Sequence, residues 1–244
     1  MLFHSHYYSN PQPLSKYSVV LDLDETLVHS YADDTINQLN SLGIYSNPNF
    51  MSLRQRTYFL NSNQPLIGEY TYIWGIKRPY TEYFLNFCFS YFQSVIIWSA
   101  GSPVYVPHIV DMLFIDLPAP HKVYTIEQCE DTRYGDYHKP LRKLINQERH
   151  LNLSLEHLLI IDDKWSNMLE NTNNGIVIPP YSPIPNINQL AETENDTALQ
   201  DIAIWLMRNE VLNAHDIREV DKSNIFTKTI PRYEFNPQDY LTRL

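Results

Sequence analysis

Two carboxylates alternate at Asp22 and Asp24, directly after the apolar, β-branched stretch Val19-Val20-Leu21. Residues two apart in a strand project to the same side, so a strand ending here delivers both acids to one place. Acids brought together repel. A divalent cation between them, or a proton held on one of them as a general acid, makes such a pair tolerable, and both conditions suit phosphoryl chemistry. An isolated Asp-x-Asp is more commonly a strand end whose oxygens cap the next turn, so the reading depends on partner groups at later strand ends.

The elements that would position such partners follow along the chain. Tyr70 to Ile76 alternates as a strand, and Pro79 then starts a helix whose Tyr80, Tyr83, Phe84, Phe87, Cys88 and Tyr91 recur at helical spacing and form one apolar core face. Ser94-Val95-Ile96-Ile97-Trp98 and Leu158-Leu159-Ile160-Ile161 are short continuous apolar runs, the pattern of strands covered on both faces. A helix from about Val104 to Phe114, a strand at His121 to Thr125, and a helix near Lys139-Pro140 with Leu141, Leu144 and Ile145 inward lie between them. A strand at Gly175 to Ile178 and a helix from Asp196 to about Asn209 complete the pattern. Alternating strands and helices predict an α/β fold with a mostly parallel central sheet and helices on both faces.

Open α/β sheets bind ligands outside the carboxyl ends of their strands. The groups expected there are Asp22 and Asp24, Ser99 after Trp98, and Asp162 with Asp163 after Ile161, while Lys139 opens the preceding helix. Taken singly, Ser99 is a helix cap, Lys139 a solvated charge and Asp162-Asp163 a turn. Together they supply what phosphoryl transfer needs: a nucleophile, a proton donor for the leaving oxygen, and positive charge around the equatorial oxygens. Carboxylates hold Mg²⁺, Ser and Lys hold phosphate, and a carboxylate that attacks phosphorus needs no Ser-His type base. Spacing alone does not decide which of Asp22 and Asp24 attacks.

Composition narrows the classes. The chain has 244 residues, 43% hydrophobic and 13% aromatic, which suits a globular domain with a full core and excludes a disordered chain. A formal net charge of -10 argues against nucleic-acid binding through a broad basic face. Cys88 and Cys129 are far apart, without metal-ligand spacing, and are expected as small buried hydrophobes. No apolar run approaches the roughly 18 to 20 residues of a membrane span, and the start lacks the features of a secretory signal. A soluble intracellular protein, cytoplasmic or nuclear, is expected, with no membrane partner.

The run Leu21-Asp22-Leu23-Asp24-Glu25-Thr26-Leu27-Val28-His29-Ser30 resembles the signature of the small CTD phosphatases, the FCP1/SCP-like family of the haloacid dehalogenase (HAD) superfamily. The likeness continues through Ile76-Lys77-Arg78-Pro79, Ile97-Trp98-Ser99-Ala100-Gly101, Lys139-Pro140-Leu141, Ile160-Ile161-Asp162-Asp163, Asn174 to Ile178 and Asp216-Ile217-Arg218. It implies a HAD-like Rossmannoid three-layer fold and a Mg²⁺-dependent serine/threonine phosphatase acting on a phosphoprotein, with the C-terminal domain of RNA polymerase II among the implied substrates. By this resemblance Asp22 attacks phosphorus to form an aspartyl phosphate, and Asp24 serves as acid and then base. Ser99 and Lys139 bind the phosphoryl oxygens, while Thr26 and Asp162 support the site. Mg²⁺ falls to the Asp22 side chain, the Asp24 backbone carbonyl and the Asp163 side chain.

The chain departs from the family pattern in places. Ser99 stands where Thr is usual, Asp162-Asp163 where Asp-Asn is frequent, and Ile126 where the family often carries Arg. The expected organisation is a leader at 1–16, a phosphatase domain at 17–220 with an insertion at 30–69 near the site, and a tail at 221–244. Within the insertion, Arg54 and Arg56 beside Leu53, Tyr58 and Phe59 are candidate contacts to a phosphopeptide. A small-molecule phosphatase of the same superfamily and a phosphatase-like binding module are the alternative functions.

Overall fold

The computed structural model describes residues 12–32, 48–131, 137–183 and 193–226. The expected leader up to residue 11, the middle of the expected insertion at 33–47 and the tail from 227 lie outside these. Leu14 and Ser15, at the end of that leader, pair their backbone N–H groups with the carbonyls of Ser90 and Tyr91.

The chain order is β1 (Ser18–Leu21), β2 (Val28–Tyr31), α1 (Met51–Arg56), β3 (Thr57–Asn61), β4 (Tyr72–Lys77), α2 (Thr81–Tyr91), β5 (Val95–Trp98), α3 (Tyr105–Leu113) and β6 (Lys122–Tyr124). It continues with β7 (Glu130–Asp131), β8 (Tyr137–His138), α4 (Leu141–Gln147), β9 (Leu158–Asp162), β10 (Gly175–Val177) and α5 (Ala198–Leu206). Five strands form a parallel sheet in the order β10-β9-β1-β5-β6. β1 lies at its centre, with Val20 opposite both Ile96 and Ile160.

Strand alternation assigns the sheet's side chains to two layers. Val19, Leu21, Ile97, Leu159 and Ile161 face a core built with α2, α3 and α5. Val20, Ile96, Trp98, Leu158 and Ile160 face a second core with Leu141 and Leu144 of α4 and with Met168. Continuous apolar strands are thus required, because both faces are dry. The three-layer α/β expectation is met. Two residues differ: Tyr80, just ahead of the helix, and Tyr83 are exposed, so the apolar face of α2 is built from Phe84, Phe87, Cys88 and Tyr91.

Chain between β1 and α2 forms a separate antiparallel sheet, β2-β4-β3. One face, with Tyr58 and Ile73, joins the α2/α3 core. On the other face Tyr31 stacks on Trp74 at 4.1 Å, above Leu53 of α1.

Candidate active site

The same alternation carries past the strand ends. Asp22, in phase with Val20, and Asp162, in phase with Ile160, turn to the α4 layer, and Asp22 still pairs its N–H with Ile161 O at 3.0 Å. Lys139 enters that layer two residues before α4, fixed by its N–H to the Asn167 carbonyl at 2.8 Å. Its ammonium sits between the two acids, 2.6 Å from Asp22 Oδ1 and 2.6 Å from Asp162 Oδ2. Lys139 and Asp162 are fully buried, and Asp22 nearly so.

Asp162 is saturated. Besides Lys139 it accepts from Asn167 Nδ2 at 2.8 and 2.9 Å and from the Lys164 N–H at 2.9 Å. Its carboxylate therefore holds Lys139 in place. Burial alone would lower the Lys139 pKa, but Asp162 and Asp22 outweigh it and raise it, so the ammonium stays charged. Burial raises the Asp22 carboxyl, with Lys139 opposing and the Asp162 and Asp24 carboxylates reinforcing.

Asp24 turns the other way. The chain reverses at Glu25, which has φ 57, and Asp24 reaches the α3 side, where Tyr105 Oη donates to its Oδ1. Ser99 Oγ donates to Asp24 Oδ2 at 3.3 Å and accepts the Gly101 N–H at 2.9 Å, so it is a local turn cap and a site group at once. Burial pushes the Asp24 carboxyl up to about 6, against the hydrogen bond from Tyr105. Asp163 is also pushed up to about 6, first by burial and then by the Asp162 charge.

Asp22, Asp24, Ser99 and Asp163 line one cavity of ≈ 460 Å³, together with Tyr105 and Asn167. Leu66, Ile67 and Gly68, from the β3–β4 connection, line it as well. Asp22, Asp162 and Asp163 bring carboxylate oxygens within 4.8 Å of one another. These hard oxygen donors, with acids outnumbering Lys139 and Lys164 around the cavity, fit a divalent cation. Because Asp162 is saturated, Asp22 and Asp163 are the side chains left to ligate it.

The remaining expected residues fall elsewhere. Thr26 is buried and does not line the cavity; its hydroxyl has no hydrogen-bond partner among the described residues, while its carbonyl accepts from Arg78 at 3.2 Å. Arg54 and Arg56 do not line the cavity. Arg56 is engaged internally, by the Lys77 carbonyl at 2.7 Å, by Tyr181 Oη at 2.9 Å and by Glu194. The expected basic rim is thus not part of this site. Tyr105 and Asn167, which sequence reasoning passed over, belong to it. A tyrosine on an amphipathic helix and an asparagine in a short 3-10 turn carry no signal in their types.

Residues 17–218 match the model of a family described as NLI interacting factor-like phosphatase. Among curated proteins, CTD small phosphatase-like protein 2 of Dictyostelium discoideum is 28% identical over 203 residues, 83% of this chain and 29% of that protein. Nuclear envelope morphology protein 1 of Saccharomyces cerevisiae is 27% identical over 175 residues, 70% of this chain and 36% of that protein. The CTD nuclear envelope phosphatase 1 homolog of Caenorhabditis elegans is 25% identical, with 85% of this chain and 71% of that protein covered. The chain spans about a third of the length of the first two. Among solved structures, the fission yeast RNA polymerase II CTD phosphatase Fcp1 bound to beryllium fluoride superposes with a TM-score of 0.54 at 19% identity, covering 79% of this chain and 50% of that one. At that identity the likeness concerns the fold.

Proposed function

The chain belongs to the NLI interacting factor-like phosphatase family, and from that membership we propose that it is a Mg²⁺-dependent phosphoserine/phosphothreonine protein phosphatase working through an aspartyl phosphate. The observation that carries the reading is the division of labour in one cavity: Asp22 is held by a buried ammonium, and Asp24 by neutral hydroxyls.

An Asp22 oxygen attacks phosphorus as the ester P–O bond breaks, and the leaving oxygen takes a proton from Asp24. Asp24, now ionised, accepts a proton from water as the water oxygen attacks phosphorus and frees Asp22. Ser99 and Lys139 bind the transferring oxygens, Ser99 by its hydroxyl and Lys139 by charge. Mg²⁺ would be held by the Asp22 and Asp163 carboxylates with the Asp24 carbonyl, and would supply charge neutralisation at the phosphoryl group. Asp162 acts through Lys139. The catalytic unit is placed at 17–220, in a nuclear or cytoplasmic setting, and the substrate class is a phosphoprotein, with the RNA polymerase II C-terminal repeats as the first to try.

The test is turnover of p-nitrophenyl phosphate and a phosphopeptide panel with Mg²⁺ or EDTA, beside Asp22→Asn. Loss of about 10⁴-fold or more in kcat is expected for the variant, the scale on which removing a nucleophile acts. Wild-type turnover indistinguishable from Asp22→Asn would refute the proposal. Selectivity within the panel then decides the substrate.

A further inference from the structure

The hydrogen bond that reaches Asp24 is the end of a longer chain. Tyr105 Oη donates to Asp24 Oδ1, Ser30 Oγ lies 2.6 Å from Tyr105 Oη, and Tyr58 Oη lies 2.6 Å from Ser30 Oγ. Each hydroxyl carries a single proton. Tyr105 gives its proton to the carboxylate, so the next bond must use the proton of Ser30 and the last that of Tyr58. All three hydroxyls therefore point one way, toward Asp24. Oδ1 is fixed by the end of this chain, whereas among the described residues Oδ2 has only the 3.3 Å bond from Ser99 Oγ, a hydroxyl that can turn its proton to a bound phosphate, so Oδ2 is the oxygen placed to carry a proton.

Two glycines make room for this chain. Ser30, Gly75 and Tyr58 share one row across β2, β4 and β3. A Cβ on Gly75 would lie 2.2 Å from Tyr58 Oη and 2.5 Å from the His29 carbonyl, so the phenol crosses the central strand only because that strand has no side chain there. A Cβ on Gly101 would likewise lie 2.7 Å from Tyr105 Cδ1. The whole sequence has only six glycines, so two of them at this chain point to a built arrangement.

We propose that the Tyr58–Ser30–Tyr105 hydroxyl chain positions Asp24, fixing its carboxyl so that Oδ2 presents the proton to the leaving oxygen of a phosphate ester. The role rests on the phosphatase reading above. Tyr105, Ser30 and Tyr58 are positioning residues that act through Asp24. The antiparallel sheet supplies two of the three hydroxyls, and so takes part in the chemistry as well as in walling the cavity.

The leaving group separates this role from a merely structural one. When the P–O bond of a seryl ester breaks, its electron pair goes to an alkoxide that needs the Asp24 proton. A p-nitrophenolate leaves without one. We would measure kcat and KM on a phosphoserine peptide and on p-nitrophenyl phosphate for wild type, Tyr105→Phe, Tyr58→Phe and Gly75→Ala, with Asp22→Asn as the zero. Tyr105→Phe is expected to lose roughly 10- to 100-fold in kcat on the peptide but no more than about 3-fold on p-nitrophenyl phosphate, because misplacing the acid forfeits part of the roughly 10²- to 10⁴-fold that proton donation contributes. Tyr58→Phe should shift the ratio the same way by less. Gly75→Ala, which displaces the Tyr58 phenol, should match it. Tyr58→Phe carries the test alone if Tyr105→Phe fails to fold. Equal losses on both substrates, or none on either, overturn the positioning role while the phosphatase reading stands. Absence of any Asp22-dependent wild-type turnover brings down the phosphatase reading, and the role with it.

Discussion

On one side of the cavity Asp22 is gripped by charge; on the other Asp24 is gripped by neutral hydroxyls. In the charged half Lys139 bridges two acids, and Asn167 and a backbone N–H fill the rest of Asp162. The hydroxyl half is an open chain that ends on Oδ1, while Oδ2 meets the Ser99 hydroxyl at 3.3 Å beside the cavity. The ammonium beside Asp22 opposes the upward push that burial gives its carboxyl, which suits the nucleophile proposed for it. A hydroxyl serves a carboxyl and a carboxylate alike, which suits the proton donor and acceptor proposed for Asp24. The two aspartates look alike in sequence, and their surroundings differ.

The comparison is most sharply tested by Lys139→Met. It leaves Asp162 buried and unpaired, and breaking a buried ion pair costs about 3–5 kcal/mol, read as a fall in ΔG of unfolding by urea titration. Asn167→Ala removes two donors to the same carboxylate and should cost about 1.5–3 kcal/mol, the scale of a charged hydrogen bond. Tyr105→Phe, on the neutral side, should cost only about 0.5–1.5 kcal/mol by the same titration. A Tyr105→Phe loss as large as that of Lys139→Met would erase the distinction. Outside both halves, Arg56→Ala should lower stability by about 1 kcal/mol with kcat/KM on phosphopeptides unchanged, because its partners are internal. A fall in kcat/KM would restore it to the substrate rim.

The charged half was legible in part. Asp22, Asp162 and Lys139 are picked out by their places at strand and helix ends and by the family signature, but alternation pairs Asp22 with Asp24, which the turn at Glu25 sends the other way, and Asn167 carries no signal. The three-layer fold was legible, since apolar runs such as Val95–Trp98 admit only a strand covered on both sides. The hydroxyl half was not. Tyr105 falls in a helix and Tyr58 beside the two arginines of the insertion, and neither residue type nor spacing marks them as partners. Arg56 turns inward to the Lys77 carbonyl and Tyr181, a direction that a basic pair in an insertion does not reveal.

What the sequence determined by itself is what depends on period and local chemistry: the strands, the helices between them, the acids at the strand ends and the family signature they form. Tertiary structure decided which oxygen meets which donor. Ser30, Tyr58 and Tyr105 come from three separate stretches of chain; strand pairing brings Ser30 to Tyr58, and docking of that sheet against α3 brings Ser30 to Tyr105, each at 2.6 Å. A hydrogen bond is set by distance and direction in space, and neither is written in residue spacing once the partners lie on different elements.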